Sequence, residues 1–203
     1  MSLSIEPCIP AGSLSSGARQ PTLLTSDGGL LLRPWTGGDA AALHRAFEDA
    51  TIQYWSLRRM NSRAEAEEWI AAAHRRWQEE RGAQWAVVPA DGGEILGRVA
   101  LRSMDLFQGL ADCAYWVLPH ARGRGVAPRS LIALSDWALQ KAGFHRLELS
   151  HSDRNEASCK VANKAGFVFE GVRRSALLHT DGWHDMHLHA RIQGDARGCG
   201  RAG

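Results

Sequence analysis

A basic loop between a strand and a helix constrains the fold of this chain more than any other feature. Residues 115–128 read YWVLPHARGRGVAP, an apolar strand, a loop with two glycines and a helix start at Pro128. Glycine lets the backbone turn its N–H groups inward, and a helix N-terminus adds partial positive charge. Arg122, Arg124 and Arg129 bring three cationic side chains to the same place. The loop therefore predicts a site for a pyrophosphate group, although the glycines alone also fit a solvated turn.

Two common phosphate-binding motifs do not match this loop. A P-loop requires Lys followed by Ser or Thr, whereas Gly123 is followed five residues later by Pro128, with no such pair after it. A dinucleotide-binding loop requires a third glycine where Pro128 stands, and a parallel β-α-β unit. The strands predicted before this loop are antiparallel, so that motif is excluded as well.

The hydrophobic periodicity predicts an α/β fold around the loop. A capping box at Ser62 begins a helix that runs to about residue 80. The predicted elements are strand 30–34, helices 39–49 and 62–80, strands 84–88, 95–102 and 111–118, helix 128–143, strand 146–150, helix 155–164, strand 167–172 and a strand ending at 192. This order, β-α-α-β-β-β-α-β-α-β-β, predicts a mixed, mostly antiparallel, twisted sheet with helices on both faces.

One domain is expected between two flexible ends. The length of 203 residues suits a single core that needs no disulfide or metal. Residues 1–26 are rich in Ser, Gly and Pro, which predicts a flexible segment that buries little, and residues 194–203 predict a flexible tail. The domain is therefore placed at residues 27–193.

The composition excludes several classes of function. The 24 Lys and Arg residues nearly balance the 22 Asp and Glu residues, and no basic run suggests a nucleic-acid partner. The sequence contains neither a signal peptide nor a run of about 18 apolar residues, so it predicts neither export nor a membrane span. The cysteines are far apart and form no C-x-x-C pair. We therefore expect a cytoplasmic protein without nucleic-acid or membrane partners.

Several motifs together resemble one known family. Arg122-x-x-Gly125-x-Ala127 resembles the [RQ]-x-x-G-x-[GA] acetyl-coenzyme A loop of the GNAT family of N-acetyltransferases. NEAS at 155–158, GF at 166–167, FEG at 169–171 and DGWHD at 181–185 resemble motifs of its RimJ/RimL branch, which acetylates protein N-terminal amines. The resemblance covers about residues 30–192. It implies the GNAT fold, acetyl-coenzyme A (acetyl-CoA) as co-substrate and acetyl transfer to a primary amine.

The resemblance also implies which residues form the site. The loop residues implied to bind the cofactor are Arg122, Gly123, Arg124, Gly125, Val126 and Ala127. In the family, the strand before the loop is splayed from its neighbour, so by position the N–H groups of Val117 and Leu118 would hold the pantetheine arm and the thioester oxygen. Asn155 would bond the pantetheine, besides its plain interpretation as a helix N-cap. Ser158 would bind there too and would donate a proton to the leaving thiolate as general acid.

The group that accepts the proton of the amine is less well defined. An α-amine has a pKa of about 8 and a Lys side chain one of about 10.4, so an α-amine needs much less help from a base. The base candidates are Asp112 and Glu148, on strands flanking the expected site, and His151, just beyond the second strand. RimL-type relatives carry a functional Glu seven residues after the Glu of FEG, and here that position is Leu177.

That departure leaves three functions open. In the first, the acceptor is a protein N-terminal α-amine. In the second, it is a small-molecule amine such as an antibiotic, a polyamine or an amino acid. In the third, the chain binds acyl-CoA without catalysis. Neither Cys113 nor Cys159 has a recognisable base partner, so direct transfer is expected rather than an acyl-enzyme. The resemblance and the Trp-rich helices also suggest a homodimer.

No metal site is predicted. His184, His187 and His189 lie close together near the C-terminus. Polar and apolar residues alternate along this segment, as in a half-exposed strand. The alternation therefore favours an ordinary strand over a metal site.

Overall fold

An eight-stranded sheet runs through the centre of the fold. The computed structural model describes residues 5–16 and 19–195. The strands are β1 (Leu23–Leu24), β2 (Leu30–Pro34), β3 (Ala83–Pro89), β4 (Gly97–Asp105), β5 (Leu110–Val117), β6 (Arg146–Ser152), β7 (Val168–His179) and β8 (Gly182–Ile192). They lie in the order β1-β2-β3-β4-β5-β6-β8-β7, and each neighbouring pair is antiparallel except β5 and β6. The predicted mixed, mostly antiparallel sheet is confirmed.

Helices cover both faces of this sheet, as predicted. The α-helices of the described residues are α1 (Ala40–Ala46), α2 (Ala50–Ser56), α3 (Arg63–Gln78), α4 (Val126–Gln140) and α5 (Glu156–Lys164). One core contains Trp35 and Ile70 and joins α1 and α3 to the sheet, and a second contains Leu131 and Phe144 and joins α4 to it. None of the described helices combines the length and the apolar character needed to cross a membrane.

The helix boundaries agree with the prediction at α3 and differ before it. Ser62 caps α3, and its hydroxyl accepts the Glu65 N–H at 3.1 Å. Helix α2 is not predicted; it begins after Asp49, whose carboxylate accepts the Ile52 N–H at 2.8 Å, and it ends at Leu57 with φ of 54°. A helix of seven residues contains too few turns for its hydrophobic period to be recognised.

The opening between β5 and β6 positions the site. These strands pair in parallel only at Leu110–Arg146, Ala111–Leu147 and Asp112–Glu148. Strand β5 then continues to Val117 and β6 continues to Ser152 without further pairing to each other. The two strands therefore diverge toward their carboxyl ends, as the resemblance implies, and α4 begins beyond the end of β5.

The N-terminal segment packs more closely than its composition predicts. Ile9 is 2% exposed and belongs to the core. The Glu80 carboxylate accepts the N–H groups of Gly12, Leu14 and Ser15 at 2.6, 2.8 and 2.9 Å. Burial opposes ionisation of Glu80, but these donors outweigh it and lower its pKa. The described part of residues 1–26 is thus attached to the domain, the boundary at 27 stays a prediction, and 196–203 of the predicted tail lie outside the described residues.

Candidate active site

A cavity of about 750 Å³ occupies the opening between β5 and β6. Its walls include the carboxyl ends of both strands, the first turns of α4 and α5, and parts of α2 and β7. Within the described residues, its charged lining consists of cations without any Asp or Glu. These cations are Arg58, Arg76, Arg98, Arg102, Arg122, Lys160, Lys164 and Arg173. The cavity therefore favours ligands that carry negative charge.

The basic loop forms the end of the cavity next to α4. Gly123 and Gly125 have φ of 73° and 71°, in the left-handed region that glycine occupies without strain. The N–H groups of residues 123–127 donate to no acceptor within the described residues. Free N–H groups at a helix N-terminus bind anions, so the geometry supports the predicted pyrophosphate site.

The three arginines of this loop have different environments. Arg122 forms an ion pair with Asp49 at 2.6 Å, and Arg129 forms one with Asp27 at 2.6 Å. Arg124 is exposed and does not line the cavity. Arg122 and Arg129 thus attach the loop to its surroundings, which the sequence does not show, while Arg124 has no place in the cavity wall.

The pairing of β5 determines which of its N–H groups face the opening. The Leu118 N–H donates to the Leu96 carbonyl at 2.9 Å, so it is not available to a ligand in the opening. Along a strand the N–H direction alternates, so the N–H groups of Val117 and Tyr115 point away from β4. The geometry therefore agrees with the predicted role of the Val117 N–H as a donor to the ligand. It indicates the Tyr115 N–H as the second donor in place of the Leu118 N–H. The pairing register, which a single strand does not reveal, is the reason for the difference.

Ser158 and Tyr115 face each other in the cavity wall. Their hydroxyl oxygens lie 2.8 Å apart, and Ser158 is 7% exposed. Burial raises the pKa of Tyr115 to about 12, so the phenol keeps its proton at neutral pH. The pair can deliver a proton to a leaving group. The motif at 155–158 points to Ser158 but not to Tyr115, because the two residues are 43 positions apart and only the fold brings them together.

Asn155 begins α5, as its N-cap interpretation predicts. Its Oδ1 accepts the Ser158 N–H at 3.1 Å, which fixes the first turn of the helix. Asn155 also lines the cavity, and its Nδ2 donates to no acceptor within the described residues. The side chain can therefore cap the helix and donate a hydrogen bond to a ligand at the same time.

Two of the three predicted base candidates lie outside the cavity lining. Asp112 and Glu148 lie opposite each other in the segment where β5 and β6 are still hydrogen-bonded, outside the cavity lining. The Glu148 carboxylate accepts a hydrogen bond from Arg146 Nε at 2.8 Å. His151 lines the cavity, but its Nε2 lies 3.2 Å from Nε2 of His189. A strand assignment does not show where two strands separate, so the sequence could not distinguish the closed end of the pair from the open one.

His179 is a cavity residue that no sequence motif indicates. Its ring lies 5.6 Å from Tyr54 and 5.8 Å from Trp55, and it stacks on His184 at 4.1 Å. Burial, and next the proximity of His184, lowers the pKa of His179. The imidazole is therefore neutral at neutral pH and can accept a proton. It follows Leu177 by two residues, and both line the cavity.

Four arginines, called here the arginine cluster, form one wall of the cavity. They are Arg58, Arg76, Arg98 and Arg102. Burial of Arg98 and the charges of the other three lower its pKa to about 9, and its guanidinium lies 5.6 Å above the Trp69 ring. The ion pairs of the described residues include none of these four. Cations grouped without carboxylates are suited to bind an anion.

Among the described residues, no cysteine offers a nucleophile to the cavity. Cys113 lines it, but burial raises the pKa of this thiol. Cys159 is expected to have no base partner, whereas in the structure its Sγ lies 4.0 Å from His189 Nε2. Cys159 is, however, absent from the cavity lining. The structure therefore supports direct transfer over an acyl-enzyme.

The three C-terminal histidines separate into two groups. His184 Nε2 lies 2.9 Å from a carboxylate of the β7–β8 turn. His187 and His189 instead share a face of β8, and His151 of β6 is paired with His187. Together with Cys159 they place four ligating atoms within 4.8 Å of one another. The alternation along one strand does not show this cluster, because its members come from neighbouring elements.

Comparison with known proteins agrees with this geometry. The family described as Acetyltransferase (GNAT) domain matches residues 29–168. A relative, the "Uncharacterized N-acetyltransferase YoaA" of Bacillus subtilis (strain 168), is 26% identical over 165 residues, which are 81% of this chain and 93% of that protein.

Solved structures share the same fold. RimL, a ribosomal α-N-protein acetyltransferase solved with coenzyme A, matches with a TM-score of 0.77 at 20% identity, over 86% of this chain and 99% of that one. MccE, a microcin self-immunity acetyltransferase solved with acetyl-CoA and AMP, matches with a TM-score of 0.75 at 17% identity, over 89% and 98%. At these identities the likeness establishes the fold alone.

Proposed function

This chain belongs to the GNAT acetyltransferase family and is an N-acetyltransferase that uses acetyl-CoA, and we propose that it transfers the acetyl group directly to a protein N-terminal α-amine. The observation that carries the proposal is the absence of Asp and Glu from the described cavity lining. A lysine-like amine, with a pKa of about 10.4, needs a strong base beside it, whereas about one α-amine in ten is already neutral at pH 7.

The cofactor is assigned to the opening between β5 and β6. The N–H groups of residues 123–127 suit its pyrophosphate, and Lys160 and Lys164 add positive charge nearby on α5. The N–H groups of Tyr115 and Val117 and the Asn155 side chain are the donors for the pantetheine arm and the thioester. These polar groups lie along one continuous cavity, which supports a single extended ligand.

The chemistry then requires two proton movements. The amine nitrogen attacks the thioester carbon, the C–N bond forms and the C–S bond breaks, and the thiolate leaves. Ser158 gives its proton to the thiolate and regains one from Tyr115, whose raised pKa keeps the phenol protonated until that step; the tyrosinate then takes a proton from solvent. His179, a neutral imidazole in the cavity wall, accepts the proton that the amine loses.

The arginine cluster favours an acceptor with a negative charge near its amine. A protein N-terminus with an acidic residue among its first positions fits this requirement. A second candidate is a small amine that carries a carboxylate or phosphate, and it is consistent with MccE, a protein of the same fold that is solved with AMP besides acetyl-CoA. The cytoplasmic location, the homodimer and the lack of a nucleic-acid partner expected from the sequence stay predictions.

The proposal is tested by thiol release from acetyl-CoA across a panel of amines. The panel contains Ser- and Ala-started peptides with acidic or neutral second positions, polyamines, aminoglycosides and free amino acids. We expect the acidic peptides to give the highest kcat/KM. A polyamine or aminoglycoside with the highest value would overturn the proposal, an anionic small amine would select the second candidate, and tight acetyl-CoA binding without turnover of any amine would indicate a binding module.

A further inference from the structure

Three histidines and one cysteine converge at a place where three elements meet. His187 and His189 lie on β8, His151 lies on the adjacent β6, and Cys159 lies in α5, which covers this face. His151 is directly paired with His187, and His189 is paired with Leu149 two residues along the ladder, on the same face. All four ligating atoms lie within 4.8 Å of one another. We propose that these four side chains bind one zinc-like divalent metal ion.

The spacing of the ligating atoms suits a tetrahedral ion. Zinc with bonds of about 2.0–2.1 Å to nitrogen and about 2.3 Å to sulfur separates two nitrogen ligands by about 3.3 Å, and nitrogen from sulfur by about 3.6 Å. The Nε2 atoms of His151 and His189 are 3.2 Å apart, and Cys159 Sγ is 4.0 Å from His189 Nε2. A shift of a few tenths of an ångström is therefore enough to complete this edge of the tetrahedron.

The protonation of the imidazoles also suits a metal. His151 Nδ1 lies 2.8 Å from the Ser152 carbonyl oxygen, which only accepts, so Nδ1 carries the proton and Nε2 presents its lone pair. The Nδ1 atoms of His187 and His189 are buried without a hydrogen-bond partner. The Nε2 atoms of His151 and His189 face each other at 3.2 Å, and a cation between them would replace their mutual hydrogen bond and bind the lone pair of each.

The ligand set indicates the class of metal and its role. Three imidazoles and one thiolate suit a borderline-soft ion such as Zn²⁺, and they exclude Mg²⁺ or Ca²⁺, which prefer oxygen. Four protein ligands leave no open position, so the site is structural. Binding releases the Cys159 thiol proton to solvent. The ion would join α5 to the sheet one residue after Ser158, and so would hold the catalytic hydroxyl in place.

The test uses the untagged full chain, freed of metal with a chelator and then titrated with Co²⁺ and Zn²⁺. We expect about one ion per chain, a thiolate-to-cobalt absorption band in the near ultraviolet that Zn²⁺ abolishes, and a higher midpoint of thermal unfolding with Zn²⁺. A band without sulfur character, or a stoichiometry far below one, would overturn the site.

Variants separate the cluster from incidental binding. Cys159→Ser should abolish the cobalt–thiolate band and weaken Zn²⁺ binding at least about 100-fold, and His187→Ala should weaken binding similarly. His145→Ala removes an exposed histidine outside the cluster and should bind metal as the unchanged protein does. Because Cys159→Ser is a mild change in a half-buried side chain, it tests the site even where a histidine variant fails to fold. Equal Zn²⁺ affinity in Cys159→Ser and His145→Ala would contradict the proposal.

Discussion

At the scale of single residues, the two hydroxyls of Tyr115 and Ser158 explain how a thiolate leaves without a carboxylic acid nearby. A serine hydroxyl alone is a poor proton donor, but a phenol held 2.8 Å away replaces the proton that the serine gives up. The Asn155 side chain fixes the Ser158 backbone, so the position of the hydroxyl depends on a helix cap. Catalysis therefore depends on the correct start of α5.

The first expectation concerns Ser158. Ser158→Ala removes the last donor of the proton pathway, so kcat should fall about 100-fold, within the range of general acid catalysis, while the Kd of acetyl-CoA changes less than threefold or so. Steady-state kinetics and calorimetric binding measure the two quantities. Ser26→Ala, in an exposed turn, is the matched control and should leave both unchanged. An unchanged kcat would reduce Ser158 to a residue of the capping turn.

The second expectation concerns His179 and pH. The pKa of His179 is lowered by burial, so the ring is already a base at pH 7, where most α-amines are protonated. His179→Gln should reduce kcat/KM about tenfold at pH 7 and only slightly at pH 9, because the amine is then mostly neutral without help. Kinetics at both values measure the difference. A loss of the same size at both would assign His179 a packing role.

The residue roles show where sequence reasoning reaches its limit. Ser158 and Asn155 could be identified because they share a short motif on one helix turn. Tyr115 and His179 could not, because each acquires its environment from residues far away in the chain. Asp112 and Glu148 stay predictions as bases, and their position in the closed part of the β5–β6 pair could not be foreseen, because the point at which the two strands separate depends on tertiary packing.

At the scale of elements, the site depends on β5, its loop and the start of α4. Strand β5 leaves its partner β6 after three pairs, which frees every second N–H group for a ligand. The loop then reverses direction through two glycines and ends at the N-terminus of α4. The strand thus presents donors for an extended chain and the helix presents donors for a phosphate, at adjacent ends of one cavity.

The loop carries the third expectation. Gly125 has φ of 71°, and a long side chain there would occupy the anion site and strain the backbone, so Gly125→Arg should abolish acetyl-CoA binding. Gly28→Arg is the matched control, since Gly28 has φ of 70° and nothing within 4 Å of an added Cβ. Both variants should lose similar stability in thermal unfolding, and only the first should lose binding by calorimetry. Unchanged binding in Gly125→Arg would remove this loop from the site.

The elements were the most predictable part of the protein. Helices α3 and α4 and the loop between β5 and α4 are determined by residues that are close together in the chain, so they can be predicted from the sequence alone. The sequence does not predict helix α2, the hydrogen bond of the Leu118 N–H to the Leu96 carbonyl or the cluster of histidines with Cys159. Each of these depends on strand register or on a contact between elements, and a single sequence contains neither.

At the scale of the whole molecule, the distribution of charge determines what the cavity accepts. The chain as a whole is nearly neutral, with a net charge of +2, yet the charged side chains lining the described cavity are all cationic. Composition could not predict this, because the acidic residues are simply placed elsewhere. The field inside the cavity attracts the phosphates of the cofactor and, through the arginine cluster, a second anionic group on the acceptor.

The arginine cluster carries the fourth expectation. Arg98→Met removes a desolvated charge that has no carboxylate partner, so the midpoint of thermal unfolding should not fall. The KM of an acidic peptide should rise about tenfold, with the KM of acetyl-CoA unchanged. Arg63→Met, which breaks an exposed ion pair with Glu67, is the control. Equal KM values for acidic and neutral peptides in the unchanged protein would show that the cluster does not recognise the acceptor.

The most direct measurement of the central claim is the position of the acetyl group on one peptide. The peptide begins with Ser, carries Asp at its second position and contains an internal Lys, so that it offers an α-amine and an ε-amine together. After incubation with acetyl-CoA and the protein, fragment mass spectrometry locates the modification. We expect acetylation of the α-amine alone; acetylation of the Lys side chain would contradict the account, because the described cavity lining provides no carboxylate base for it.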